Sequence, residues 1–356
     1  LFNKGTIQLK SSLKFMSLFN IGLIKNLFYA KIETKRFLWN IGKFEINECD
    51  IKTNLFLQIP IDGISPSIKS YYLYIQASEN IMIRGGSFEV SNLKITSLNS
   101  CETDCHFKSK KIFLTIQSKF VNKGQFETNT FCIDAFESVL NKGSIDAKEI
   151  RLFLQPNNFF LQEGSLSSDN FFYEGNQSTF KNTGQLKIEK LISYSTINFE
   201  NSTHLSNYNS KDKKSSEAIV TISDFSCSKS SFVNRGFFES TNCSLDKFLN
   251  SGVVVAKNLK VNYLFVEKDE ENTGKLLLTN LDTNKEICND KGMISTVTFI
   301  GRGNINNNGD FLIHEKANLN LDTVNQNGKF EIYCMNGKIK EWNENSISRI
   351  VKTKEE

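Results

Sequence analysis

The sequence has little proline, little histidine and almost no surplus of charge. Only 3 of its 356 residues are Pro, so a fold built on strand ladders would rarely be interrupted, because Pro removes a ladder donor. The three histidines, His106, His204 and His314, are scattered, and no Ser-His-Asp arrangement can be read from them. Basic and acidic residues number 43 and 39, a net charge of +4. With no basic stripe carrying interleaved aromatics in the sequence, nucleic-acid binding has little support. No apolar stretch reaches the length of a membrane span; the most hydrophobic segment, 13–28, is broken by Lys14, Asn20 and Lys25. Eight cysteines make an even count, but far fewer than a disulfide-built scaffold of this length would carry.

What the sequence does have is a recurring turn signal: an apolar residue, Asn, any residue, Gly, then an apolar residue two places on. Its positions are Asn3 and Gly5, Asn20 and Gly22, Asn40 and Gly42, Asn122 and Gly124, and Asn141 and Gly143. It returns at Asn182 and Gly184, Asn234 and Gly236, Asn250 and Gly252, and Asn272 and Gly274. The glycines at 124, 143, 164 and 184 are spaced by 19, 21 and 20 residues. Paired-helix repeats need roughly 33 to 47 residues, so this period suits coils of short strands, each burying its apolar face only against its neighbours.

After each Gly the pattern alternates with period two. Phe44 and Ile46, Phe88 and Val90, Leu186 and Ile188, Leu276 and Leu278, and Phe330 and Ile332 stand at Gly+2 and Gly+4. Polar residues such as Glu45, Glu89, Lys187 and Glu331 lie between them, as in a half-buried strand. A second apolar cluster follows in each coil, as in Ile133 and Phe136, Leu152 and Leu154, and Leu319 and Leu321. The reading is an all-β, single-stranded parallel β-helix, a β-solenoid of about seventeen coils of roughly 20 residues. It assigns 1–336 to the solenoid and 337–356 to a C-terminal cap or tail, folding partly as a short helix with Trp342 inward. Phe126 should stack near Ile145, and Leu276 near Ile294. Gly is expected to supply a positive φ at the turn, and Asn to bond its own backbone and form a ladder along the axis. The 30 Phe residues supply wide, flat side chains for stacking from coil to coil. Leu1 is followed at once by a repeat turn, so the chain reads as a piece that enters mid-solenoid.

Candidate sites are few. Cys49, Cys132, Cys243 and Cys334 recur at similar distances after a turn Gly and read as small buried core residues. Cys101-Glu102-Thr103-Asp104-Cys105-His106 is the most metal-like cluster, but it lacks a matching ligand pair for zinc; a loop with a Cys101–Cys105 disulfide or free thiols is the plainer alternative. The interval from Gly184 to Gly236 is 52 residues, which places an insertion loop near 201–216, on what is often the binding face of a solenoid. Asn176, Asn201 and Asn242 match the N-glycosylation triplet. Outward acids such as Glu45, Glu89, Glu127 and Asp146 are not paired by any motif, as glycoside hydrolysis would require. No catalytic residue, cofactor or metal is assigned.

The unit apolar-x-Asn-x-Gly-x-Ile, best seen at 2–9, 140–147 and 249–256, resembles the haemagglutinin repeats of filamentous haemagglutinin-type bacterial exoproteins. That resemblance spans nearly the whole chain at the level of the repeat. It implies a right-handed parallel β-helix, secreted or at the cell surface, with an outer-membrane pore as secretion partner and a host-surface or carbohydrate ligand. The functional expectation is a non-catalytic structural stalk of a large adhesin-like protein. Two alternatives stay open: the stem of a contact-dependent toxin, and a β-helix module that binds or degrades polysaccharide.

Overall fold

The computed structural model describes residues 1–356 except 10, 62–63, 194–196, 202–218, 268–273, 334, 345–347 and 351–356. The protein is all-β, 84% strand, with parallel coils stacked into a β-solenoid of about 16 turns. It divides into two compact units, Leu1–Ser178 and Thr179–Glu356.

In the first unit the coil after Gly124 shows how the sequence makes a turn of solenoid. Strand Gln125–Ala135 bends after Thr128, and the short strand Ser138–Asn141 closes the coil. Each coil therefore has three faces. Pairing is parallel and in register with the next coil: Phe126 lies opposite Ile145, and Ile133 opposite Leu152. The bend is held by a device that the repeat pattern does not reveal. A small hydroxyl residue at Gly+4, or at the equivalent place four residues after Cys105, donates to the carbonyl two residues on: Thr128 to Thr130 at 3.1 Å, Ser109 to Lys111 at 2.9 Å, Ser168 to Asn170 at 2.8 Å. The hydroxyl bonds a carbonyl just past the corner and so ties the two strand segments together.

The core is built of columns. Phe88, Phe107 and Phe126 follow one another with ring centroids 4.7 and 4.4 Å apart, the second pair nearly parallel. In the second unit Leu276 lies opposite Ile294, Phe232 stacks on Phe248 at 5.1 Å, and Phe330 is fully buried. Phe136 departs from expectation. It is 41% exposed, because it sits at the corner after Ala135, where the alternation no longer applies.

The chain past Gly337 also differs from expectation. The segment Met335–Glu344 is strand, not helix, paired in parallel with 317–326, so coil pairing runs beyond residue 336. The Trp342 side chain is not among those described.

Candidate functional site

The predicted turn positions come together as an internal ladder. In the first unit Asn3 Nδ2 donates to Asn20 Oδ1 at 2.7 Å, Asn20 to Asn40 at 2.8 Å and Asn40 to Gln58 Oε1 at 3.1 Å. A second run links Thr103, Asn122, Asn141 and Gln162. In the second unit Asn182, Asn201, Asn234 and Asn250 form a run with steps of 2.8–3.0 Å, and Asn289, Asn307 and Gln326 form another. Most of these amides also bond their own turn, as Asn250 does to the Gly252 carbonyl at 3.0 Å.

Gly serves a different purpose from the one expected. Among the described residues, the glycines with left-handed backbone are Gly85, Gly86, Gly303 and Gly337; Gly86, which precedes Phe88 and Val90, meets the expectation, but no Gly of an Asn-x-Gly turn does. The turn glycines are needed for close stacking instead. A Cβ on Gly22 would collide with the Gly5 carbonyl, one on Gly42 with that of Gly22, and one on Gly143 with that of Gly124. In the second unit Gly252 packs against Gly236 in the same way.

Asn272 lies outside the described residues, and the ladder column is filled there by Val266, opposite Asn250 and Asn289. In the first unit Ile83 takes the same column, between Gln58 and Thr103. Each aliphatic breaks the ladder and strands a polar atom: Gln58 Nε2 and Asn289 Oδ1 are buried without a partner.

The Cys101–His106 cluster is a disguised repeat turn. Cys101 points into the core column between Ile81 and Phe120, Thr103 takes the Asn position, and Cys105 takes that of Gly, with its backbone against Gly124. Both thiols are free and buried, and burial pushes both up in pKa. Among the described residues no cluster of three metal-ligating side chains exists. Cys49 and Cys243 are buried as expected. Cys132 is not, because its neighbour Phe131 fills the inward column and turns Cys132 to the outer side. Cys334 is outside the described residues, as is His204.

The insertion begins after Asn201, which is itself a fully buried ladder member and so offers no exposed amide for a glycan. Residues 202–218, most of the predicted loop, lie outside the described residues.

Outer surfaces carry more organisation than the sequence suggested. Ser295 Oγ and His314 Nε2 are 2.8 Å apart on the second unit. Nothing among the described residues orients the other ring nitrogen, so the pair lacks the third member that makes such a serine nucleophilic. On the same unit a second polar ladder, exposed at Asp224 and Asn242 and half-buried beyond, runs Asp224, Asn242, Asn258, Asn280, Thr298, with steps of 2.5–2.7 Å. On the first unit, Tyr29 donates to Asp50 at 2.8 Å, and that bond pushes its pKa up to about 12. The same outer side presents Tyr74, Lys94, Phe113, Cys132, Arg151 and Phe172 as one column. No sequence motif could show this, because its members are about twenty residues apart and only the coil register aligns them.

Compared with protein families, curated proteins and solved structures, the chain matches none. Function must therefore be argued from the geometry itself.

Proposed function

We propose that this chain is a non-catalytic structural stalk, the repeat region of a large secreted or surface adhesin-like protein. The observation that carries the reading is where the polar side chains are used. Buried Asn amides bond one another along the axis, and turn glycines let successive backbones pack at the closest approach. Such a lattice contributes stability coil by coil, because each coil rests on its neighbours. The Ser295–His314 pair, without an orienting partner, gives no comparable support to an enzyme.

Whole-coil editing in the full-length protein tests the reading. Removing residues 237–252, one repeat between Gly236 and Gly252, should leave the protein folded and its cell-surface attachment intact. Removing 237–244 shifts the register and should unfold the adjacent coils. A folded 237–252 deletion that abolishes attachment would mean a dedicated site in that coil, and the stalk reading would fail.

A further inference from the structure

We infer that the first unit packs side by side with the first unit of a second copy, a fixed apolar bulge on one corner of its coils entering a groove on a corner of the neighbour. The contact does not rest on the stalk reading, since a stalk can stand alone and a module that is not a stalk can associate.

The bulge is made by one buried amide. In strand Leu23–Asn40, Leu27 and Phe28 together face the single residue Asn47 of the next coil, because the register steps from Asn26 opposite Ile46 to Tyr29 opposite Glu48. Asn26 stands in the column that Ile46 fills in the next coil, and it is only 7% exposed. Its side chain accepts from the Phe28 N–H at 3.0 Å and donates to the Tyr29 carbonyl at 3.1 Å. A bulge re-aims the side chains it carries. This one leaves Leu27 79% and Phe28 75% exposed, the highest values for large apolar side chains among the described residues. Tyr71, exposed in the column of Asn47, extends the ridge. The coil thus gives up an apolar core position for two fixed surface anchors, which lose little freedom on binding.

The matching hollow lies across the middle face of the same coils. At the corner between the middle and third faces, a groove of about 730 Å³ runs from Phe15 and Met16 to Leu98. Charge matches coil for coil. Glu48, beside the bulge, and Lys52, in the groove, stand on the same strand, Lys43–Thr53, and both are exposed. Among the described residues neither makes an ion pair. Two copies set side by side in the same direction, without a shift along the axis, bring the bulge of one to the groove of the other and Glu48 level with Lys52. An anionic lipid surface is the poorer occupant, because Glu45 and Glu48 are exposed beside the ridge. The contact joins two different surfaces, so it does not close on itself and can continue into a row.

The test uses the whole chain in sedimentation-velocity runs. With few anchors the interface is of the small, transient kind, so the parent should associate reversibly as its concentration rises through about 100 µM. A bulge variant, Leu27→Ser with Phe28→Ser, and a groove variant, Met16→Lys with Leu98→Lys, should each stay monomeric where the parent associates, with thermal unfolding curves that match the parent. Mixed in equal amounts they should form a one-to-one dimer and stop there, because the intact groove of the first takes the intact bulge of the second. Exposed charge swaps give a second reading that leaves the core untouched. Glu48→Lys and Lys52→Glu should each weaken the association about threefold or more, and together restore it. A parent that stays monomeric up to about 1 mM overturns the proposal, whether or not it floats with neutral phosphatidylcholine vesicles. So does association that either double variant retains, a mixture that remains monomeric, or a double charge swap no better than the single ones. None of these outcomes bears on the coil-deletion experiment, which alters only the second unit.

Discussion

Asn122 donates its side-chain amide to Asn141 at 2.7 Å, although 19 residues separate them. The bond exists because both occupy the same place on successive coils, and both are fully buried. Asn141 passes the chain on to Gln162 at 2.8 Å. Asn141→Leu keeps the volume but deletes an acceptor and a donor together, leaving the Asn122 amide short of a partner inside the core. It should cost on the order of 2–3 kcal/mol, read by denaturant unfolding. A loss below about 0.5 kcal/mol would mean the ladder contributes no more than an apolar column.

The turn glycines allow a sharper comparison. A Cβ on Gly143 would meet the backbone carbonyl of Gly124, which cannot swing aside, whereas one on Gly5 meets nothing within 4 Å. Gly143→Ala should therefore destabilise by about 1–3 kcal/mol, and Gly5→Ala should be near neutral. Equal effects would point to backbone conformation, not stacking, as the reason for Gly.

This bears on how much the sequence made legible. The Asn-x-Gly turns and the Gly+2 residues fixed the coil, its parallel register and the core columns through Phe126, Ile145, Leu276 and Ile294. They did so because a ladder repeats its chemistry and alternation needs only local spacing. Where a column tolerates other residues, the signal vanished: Thr103 and Cys105 stand for Asn and Gly, and Ile83 and Val266 stand for Asn. A turn can survive such swaps when the adjacent coils hold it on both sides. The outer strip through Phe113 was illegible for another reason. Exposed positions follow no pattern of their own, and only the assembled register shows which ones are neighbours.

The break at Val266 predicts a stabilising change. Asn250 and Asn289 face it from either side, and Asn289 Oδ1 is buried without a partner. In Val266→Asn the new amide would accept from Asn250 and donate to Asn289, joining two runs into one. A gain of about 1 kcal/mol is expected, visible as a raised unfolding midpoint. A fall of that size would show that Val266 matters more for its packing than the ladder does.

Surface charge gives a pH prediction. Lys31 and Lys14 bond Glu33 at 2.6 and 3.0 Å, and the Lys31 bond first, then that of Lys14, lower its pKa from 4.5 to about 2. A depressed folded value means the unfolded chain takes up the proton more readily. The contribution is present above about pH 4.5 and is lost as pH falls towards 2. The carboxylate is solvent-exposed, so the effect should be small and weakened by salt. Carbon NMR of the Glu33 carboxyl should show the low midpoint in the parent and a near-normal one in a Lys14→Ala, Lys31→Ala double variant.

Thiol reactivity tests the burial columns directly. Cys49 sits opposite Leu73 in the inner column, and burial, with a smaller push from Asp50, raises its pKa to about 12. Cys101 and Cys105 are raised for the same main reason. The thiolate is the reactive species, so at pH 8 these three should resist iodoacetamide in the folded protein. Cys132 and Cys288 are only partly buried, and although burial raises both, reagent can reach them. Peptide mapping by mass spectrometry after brief alkylation should find label at Cys132 and Cys288 first, and at Cys49, Cys101 and Cys105 only after denaturation. Early label at Cys105 would mean that the coil between Gly86 and Gly124 opens in the native state, and that the Thr103–Asn122 hydrogen bond is too weak to hold a turn that lacks both Asn and Gly.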